Sequence, residues 1–273
     1  MDFSERLEAA WAVNDSMLCV GLDPDPDRFP ETVGRHGDAV APFLEAIVAA
    51  TADLVCAFKP QIAHFAAVGA ESALERIVAF IRREAPQALV ILDAKRGDIG
   101  STAEMYAREA FDRYGADAVT VNPYLGSEGL APFLARPERG AVILCRTSNV
   151  SGSELQDVPE DQPLFERVAR LASERWNAAG NVMLVAGATR PAELARIRSL
   201  APDLPFLVPG VGAQGGDIDA VVAAGLDDRG RGLVVSSSRA VLYASSGADF
   251  AEAGRTEALR TRDALRRARD RAA

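Results

Sequence analysis

The sequence contains few of the residues that build metal centres and disulfide frameworks. Its 273 residues include two histidines and three cysteines, and Cys19, Cys56 and Cys145 lie singly in apolar runs without C-x-x-C spacing. An odd number of scattered thiols favours a reducing, cytoplasmic location, and His36 and His64 are too few for a histidine-built metal site. No apolar run approaches the roughly 18 residues of a membrane span, and the N-terminus lacks the pattern of a secretory signal.

Basic charge is also in deficit. The chain has 39 acidic and 30 basic residues, which gives a net charge of −9. Non-specific binding to nucleic acid or to an anionic membrane needs a net basic surface, so neither partner is expected. Seven arginines lie between Arg255 and Arg271, and we interpret them as the solvated face of a closing helix.

Lysine is the scarcest charged residue. Of the 30 basic residues, 28 are arginine and only Lys59 and Lys95 are lysine. Both follow apolar, β-type runs rather than lying in solvated helical segments. Arginine keeps its proton near neutral pH, whereas an ammonium can act as an acid or as a Schiff-base amine. We therefore predict that both lysines are functional.

Eight short, apolar, β-branched runs alternate with amphipathic helical patterns, and 48% of the residues are apolar. Their spacing is close to the roughly 30 residues of a βαβ unit, which predicts a single (β/α)8 TIM barrel domain over residues 1–273. An open, doubly wound sheet is the alternative, although no G-x-G-x-x-G follows the first run. The predicted strands are Met17–Leu22, Leu54–Phe58, Leu89–Leu92, Ala118–Asn122, Ala141–Cys145, Val182–Ala186, Phe206–Val208 and Leu233–Ser236.

Two local patterns lead to separate expectations. Ser101-Thr102-Ala103-Glu104 has the form of a capping box, which predicts the start of the helix after the third strand. The polar segment Ser148–Pro163 follows the fifth strand, and a loop of that length is typically a lid or mobile.

Charged residues gather where the predicted strands end, and a TIM barrel carries its active site at the carboxyl ends of its strands. Residues two apart on a strand point to the same side, so Asp93 and Lys95 are expected to project together into the barrel mouth. Lys59 reaches them from the neighbouring strand. Each ammonium–carboxylate pair at about 4 Å is worth roughly 4 kcal/mol at an effective dielectric near 20. We predict an alternating row of charges at a catalytic site.

A second cluster has the character of a phosphate site. The glycine-rich segment from Pro209 to Gly216 follows the seventh strand, and Arg239 follows the eighth. Barrels often bind phosphate with these two loops, where glycines let backbone amides approach the oxygens and an arginine binds them through two donors.

The segment Val90–Thr102, VILDAKRGDIGST, resembles the signature of the orotidine 5′-phosphate decarboxylase family. The resemblance extends along almost the whole chain and is closest to the longer bacterial subgroup. It implies removal of CO2 from orotidine 5′-monophosphate (OMP) to give UMP, the last step of de novo pyrimidine nucleotide synthesis, without a metal or organic cofactor. It includes Leu22-Asp23, Phe58-Lys59-Pro60, Val121-Asn122-Pro123-Tyr124, Pro209–Gln214 and Arg239.

The resemblance also implies roles for individual residues. Lys95 is expected to protonate C6, Asp93 to face the departing carboxylate, and Lys59 to hold Asp93 and a ribose hydroxyl. The remaining expected substrate contacts are Asp23 at the ribose, Gln214 and Arg239 at the phosphate, Pro209 in the base pocket, Asn122 in the site, and Ser148 or the adjacent Asn149 at the pyrimidine edge. The family's shared site implies a homodimer in which catalytic Asp98, together with Ile99 and Thr102, reaches the neighbouring subunit.

Three other functions remain open at this point. Magnesium-dependent sugar-phosphate enzymes on the same barrel carry an acidic metal ligand where this chain has Lys59. A Schiff-base aldolase would use Lys95 as a nucleophile, although two flanking aspartates oppose that role. A catalytically silent phosphate-ligand sensor is the third. We assign no role to His64.

Overall fold

A computed structural model describes residues 1–211 and 216–272. Eight parallel strands close into a barrel in sequence order. β1 pairs with β8 through Leu18 and Val235 as well as with β2, so the TIM barrel prediction is confirmed and the open sheet is excluded. The strands are β1 Leu18–Leu22, β2 Ala57–Pro60, β3 Leu89–Arg96, β4 Ala118–Val121, β5 Gly140–Arg146, β6 Val182–Ala186, β7 Phe206–Pro209 and β8 Leu233–Ser237.

Helices connect consecutive strands and cover the outside of the barrel. Helix α1 precedes β1, and the remaining helices follow the strands in turn, with a π-helical turn extending α5 and α8. Their bounds are α1 Phe3–Val13, α2 Val40–Thr51, α3 Ile62–Ala66, α4 Glu71–Glu84, α5 Gly100–Arg108, α6 Gly126–Leu134, α7 Ser153–Gln156, α8 Leu164–Leu171, α9 Pro191–Leu200, α10 Ile218–Gly225, α11 Arg239–Leu242 and α12 Phe250–Ala272.

The core has two layers. The larger layer lies between the outer faces of the strands and the helices, and the smaller one fills the barrel interior. Helix α1 closes the amino-terminal end of the interior with Phe3, Leu7 and Trp11, and the Trp11 indole donates to the Leu233 carbonyl at 2.9 Å. A Cβ at Gly140 would lie 2.4 Å from the Phe3 ring, so this approach requires glycine. The carboxyl end is thereby left as the open end.

The capping-box prediction is wrong. Helix α5 begins at Gly100, one residue before Ser101, and no side chain caps it. The chain turns at Gly100, which has a positive φ of 54°, and the Asp98 carboxylate instead accepts from the Ile99 amide at 2.8 Å. Ser101 therefore lies inside the helix and cannot serve as its N-cap.

The segment after β5 and the arginine-rich tail are both more structured than the sequence suggests. Residues 148–163 include a 3-10 turn at Val150–Gly152 and helix α7. The tail forms α12 as expected, but its arginines are not merely solvated, since Arg255 pairs with Asp53 and Arg269 with Asp15. Across residues 1–211 and 216–272, no helix has the length and apolar character needed to cross a bilayer.

Asp117 is a fully buried carboxylate that joins α1, α4 and the first residues of the barrel sheet. It accepts from the Val90 amide at 2.7 Å and pairs with Arg6 at 2.9 Å and Arg82 at 2.7 Å. About a third of each arginine side chain is exposed, so the cluster extends from the protein surface to the buried carboxylate at the barrel wall.

We expect Asp117→Ala to lower the free energy of unfolding by about 3 kcal/mol, because it leaves a buried amide and two arginines without their acceptor. Urea denaturation followed by circular dichroism measures the change. The control is Arg76→Ala, which removes the exposed pair with Glu45 and should cost about 0–1 kcal/mol. Equal, small losses in both variants would contradict a stabilising role for Asp117.

Candidate active site

A cavity of about 320 Å³ opens at the carboxyl ends of the strands. All eight strands contribute to it, so its shape is set by the closed barrel rather than by a single loop. The contributing residues, within or directly after each strand in order, are Asp23, Lys59, Asp93, Thr120, Leu144, Val185, Leu207 and Ser236.

Asp93 lies between the two lysines of the chain. Lys59 Nζ donates to Asp93 Oδ2 at 2.8 Å, and Lys95 Nζ donates to Asp93 Oδ1 at 2.6 Å. Lys59 and Asp93 are buried, whereas the Lys95 side chain is 48% exposed. The ammonium–carboxylate–ammonium row expected from the sequence is present, and Lys95 is its exposed member at the cavity.

The backbone reaches this arrangement by a different route from the one the sequence suggested. Regular strand alternation does not carry Lys95 beside Asp93, because the pairing of β3 with β4 shifts register between Leu92 and Arg96. Lys95 itself has a positive φ of 47°, a conformation that costs free energy in a non-glycine residue and persists only where its surroundings enforce it.

Thr120 supplies that enforcement, and the sequence analysis missed it. Its Oγ1 accepts from the Ala94 and Lys95 amides, both at 2.9 Å, and donates to Asp93 Oδ1 at 2.9 Å. One hydroxyl on β4 thus fixes both the bent backbone and the carboxylate. A single polar residue within the buried strand AVTV was the available signal.

The surrounding charges determine the ionisation of this row. Burial alone would raise the pKa of Asp93, but attraction to Lys59 and Lys95 outweighs burial and holds the pKa below its usual value. Burial alone would lower the pKa of Lys59, but Asp93 and Asp23 raise it above its usual value. The stability contributed by Asp93 is present above about pH 4 and lost on further acidification, and that of Lys59 is present below about pH 10 and lost above it. The buried pair is therefore ionised throughout the neutral range.

Asp23 forms the next part of the wall. Its Oδ2 accepts from Ser238, while Oδ1 is buried without a hydrogen-bond partner in the described chain. The Tyr243 hydroxyl donates to the Asp23 carbonyl at 3.0 Å and accepts from the Asp25 amide at 2.8 Å. The turn that carries Asp23 is therefore held by residues that follow β8.

The other residues singled out in the sequence fall into three groups. Ser148, Asn149, Pro209 and Arg239 line the cavity. Gln214 lies outside the described residues. Outside the cavity are Asn122, which accepts from the Tyr124 amide, and Asp98, Ile99 and Thr102 on the rim after β3.

His64 lines the cavity with its ring Nδ1 3.0 Å from the Pro24 carbonyl. Over residues 1–211 and 216–272, no group of three or more histidine, cysteine, aspartate or glutamate side chains is arranged to hold a metal ion. Lys59 lies near the end of β2.

Comparison with known proteins places this geometry in one family. A model described as "Orotidine 5′-phosphate decarboxylase / HUMPS family" matches residues 16–253. The chain is similar to the orotidine 5′-phosphate decarboxylases of Azoarcus sp. (strain BH72), at 59% identity, and Dechloromonas aromatica (strain RCB), at 58%, each over 97% of this chain and 98% of the relative. It is also similar to the solved OMP decarboxylase of Leishmania donovani, with a TM-score of 0.86, 36% identity and 99% coverage of both chains. The chain belongs to the orotidine 5′-phosphate decarboxylase / HUMPS family.

Proposed function

We propose that this chain carries out the decarboxylation of OMP to UMP, a carboxy-lyase reaction of pyrimidine synthesis, with Lys95 as the proton donor and without a metal or organic cofactor. The observation that carries the proposal is Asp93 held between two ammonium groups at the mouth of the barrel. Relatives with 54–59% sequence identity to this chain are named for this reaction. Their names favour OMP decarboxylation over the reactions of sugar-phosphate enzymes.

The step breaks the bond between C6 and the carboxylate, so that CO2 leaves and its bonding electron pair stays on C6. The pair then takes a proton from Lys95 Nζ to form the C6–H bond of UMP. No electron sink is needed if a fixed ammonium lies beside the developing negative charge. Lys95 can regain its proton from water, because about half of its side chain is exposed.

The buried members of the row hold the reacting groups in place. Asp93 faces the departing carboxylate, and Lys59 holds both Asp93 and a ribose hydroxyl. Asp23, which lines the same cavity, accepts from the ribose. The protein's dipoles and charges are already in position, so little reorganisation is required during the reaction. This matters because the enzyme must lower the activation free energy by about 20 kcal/mol.

The two ends of the nucleotide are held away from C6. Arg239, with Gln214, binds the phosphate, and this remote binding energy can be used to align the base over Lys95. Pro209 lines the base pocket, Ser148 or Asn149 contacts the pyrimidine edge, and all three of these described residues face the same cavity.

Two features support chemistry without a metal. The lysines place two positive charges around Asp93, which opposes Mg²⁺ binding there. The end of β2 carries Lys59 in place of an acidic ligand. Chelator-insensitive turnover is therefore expected.

We also propose a homodimer in which the partner subunit's Asp98 completes each site. Asp98, Ile99 and Thr102 do not line the cavity of their own chain, and Ile99 is 50% exposed. The Asp98 carbonyl lies against Gly129 of α6. Tyr124 and Leu125, which directly precede α6, are also exposed. An apolar rim around an acidic residue is suited to burial against a second copy.

Lys95→Ala should abolish loss of OMP in an ultraviolet assay while the variant still folds and binds UMP. Lys95→Arg should fail as well, because a guanidinium is too weak an acid and has the wrong shape. The wild type should turn over equally with and without a chelator. Near-normal turnover by either variant would remove Lys95 from the proton-donor role, and loss of wild-type activity with the chelator would favour the magnesium alternative.

Mixing Lys95→Ala and Asp98→Ala subunits should restore activity that neither variant has alone. Random pairing gives one complete site in each mixed dimer, so recovery of about a quarter of wild-type activity is expected. Native mass spectrometry checks that mixed dimers form. Mixed dimers without recovered activity would contradict the shared site.

A further inference from the structure

Arg146 is a buried guanidinium that the proposed chemistry leaves unused. It is the last residue of β5, its side chain is 1% exposed, and it does not line the cavity. A charge is costly to bury, so a buried arginine needs opposite charge and acceptors close to it.

Its acceptors belong to the segment that follows β5. Arg146 Nη2 donates to Asp157 Oδ2 at 3.0 Å. Arg146 Nε lies 3.0 Å from Asp157 Oδ1 as an ion-pair contact without a hydrogen bond. Nη1 donates to Gln156 Oε1 at 3.0 Å. Arg146 therefore binds the end of helix α7 to the carboxyl end of its own strand.

Gln156 passes this connection to the cavity wall. Its Oε1 accepts from the Thr147 amide at 2.9 Å, and its Nε2 donates to Thr147 Oγ1 at 2.9 Å. Thr147 Oγ1 in turn donates to Asn149 Oδ1 at 2.6 Å. The chain of contacts runs from Arg146 through Gln156 to the segment Thr147–Asn149. All three residues of this segment line the cavity.

The segment Thr147–Asn149 is closely packed on two sides. A Cβ at Gly152 would come within 3.0 Å of Arg146 Nη1 and Thr147 Oγ1. On the opposite side, a Cβ at Gly187 would lie 2.8 Å from the Ser148 backbone, and Thr189 donates to the Ser148 carbonyl at 3.2 Å. Ser148 thus lies between β6 and the Arg146 cluster.

We infer that Arg146 is a positioning residue for base recognition: by binding Asp157 and Gln156, it fixes the segment Thr147–Asn149 against the pyrimidine. The inference rests on the proposed function, since it requires this segment to contact the base. Loss of Arg146 should therefore weaken binding of the base. The phosphate and ribose contacts should be unaffected, because they lie on other strands.

Arg146→Met tests the inference, because methionine fills much of the same space without the donors. Titrations of UMP and of ribose 5-phosphate, which lacks the base, separate the two parts of binding. We expect UMP affinity to fall by about tenfold or more, as for loss of one or two hydrogen bonds, while ribose 5-phosphate affinity stays within about twofold. Arg146→Lys should not restore UMP binding, since one ammonium cannot replace the separate guanidinium donors to Gln156 and Asp157.

Arg196→Met is the matched control. Arg196 forms a bidentate pair with Glu166 at 2.8 and 2.9 Å on the outer helices, so the variant should keep the affinity for both ligands. If Arg146→Met does not fold, Asp157→Ala replaces it, because the Asp157 side chain is one-third exposed and alanine removes the acceptor of Arg146 Nη2.

Equal losses for UMP and ribose 5-phosphate, or no loss for either, would overturn the inference. Failure of the wild type to bind UMP or to turn over OMP would instead contradict the proposed function. The wild-type titration and the wild-type OMP assay together distinguish the two failures.

Discussion

The attraction between Asp93 and the two lysines is the interaction on which the site depends. It holds together side chains from β2 and β3 whose burial would otherwise favour their neutral forms. Thr120 on β4 adds hydrogen bonds to the same carboxylate and to the bent backbone at Lys95. Three neighbouring strands must therefore be in register before the charges can meet. Because the barrel is closed, this register is fixed before any ligand arrives, as a preorganised electrostatic site requires.

Around this fixed centre, the cavity wall is held by separate local contacts. On one side, Tyr243 holds the turn that carries Asp23. On the other, Arg146 holds the end of α7 through Asp157. The two arrangements use side chains that do not line the cavity, so they can set the positions of the proposed ribose and base contacts without taking part in the chemistry. On the rim after β3, Ile99 remains half exposed, as the proposed homodimer requires.

The sequence predicted the fold and the charged centre because both depend on local patterns. Continuous apolar runs marked the strands, and the scarcity of lysine singled out Lys59 and Lys95. Features set by distant contacts were not predictable in the same way. The hydroxyl of Thr120 acts across the β3–β4 register shift, and the pairing of Arg146 with Asp157 appears only after the segment between them has folded back. The positive φ of Lys95 likewise reflects its surroundings, since nothing in the local sequence favours it.

Exchange of the hydrogen at C6 of UMP with deuterium oxide, followed by proton NMR, tests the central claim most directly. If the charged row stabilises negative charge on C6 and Lys95 moves the proton, the reverse proton transfer must also be catalysed. The account predicts that the wild type removes the C6 proton signal over time and that Lys95→Ala, saturated with UMP, does not. Persistent exchange in Lys95→Ala, or none in a wild type that decarboxylates OMP, would contradict it.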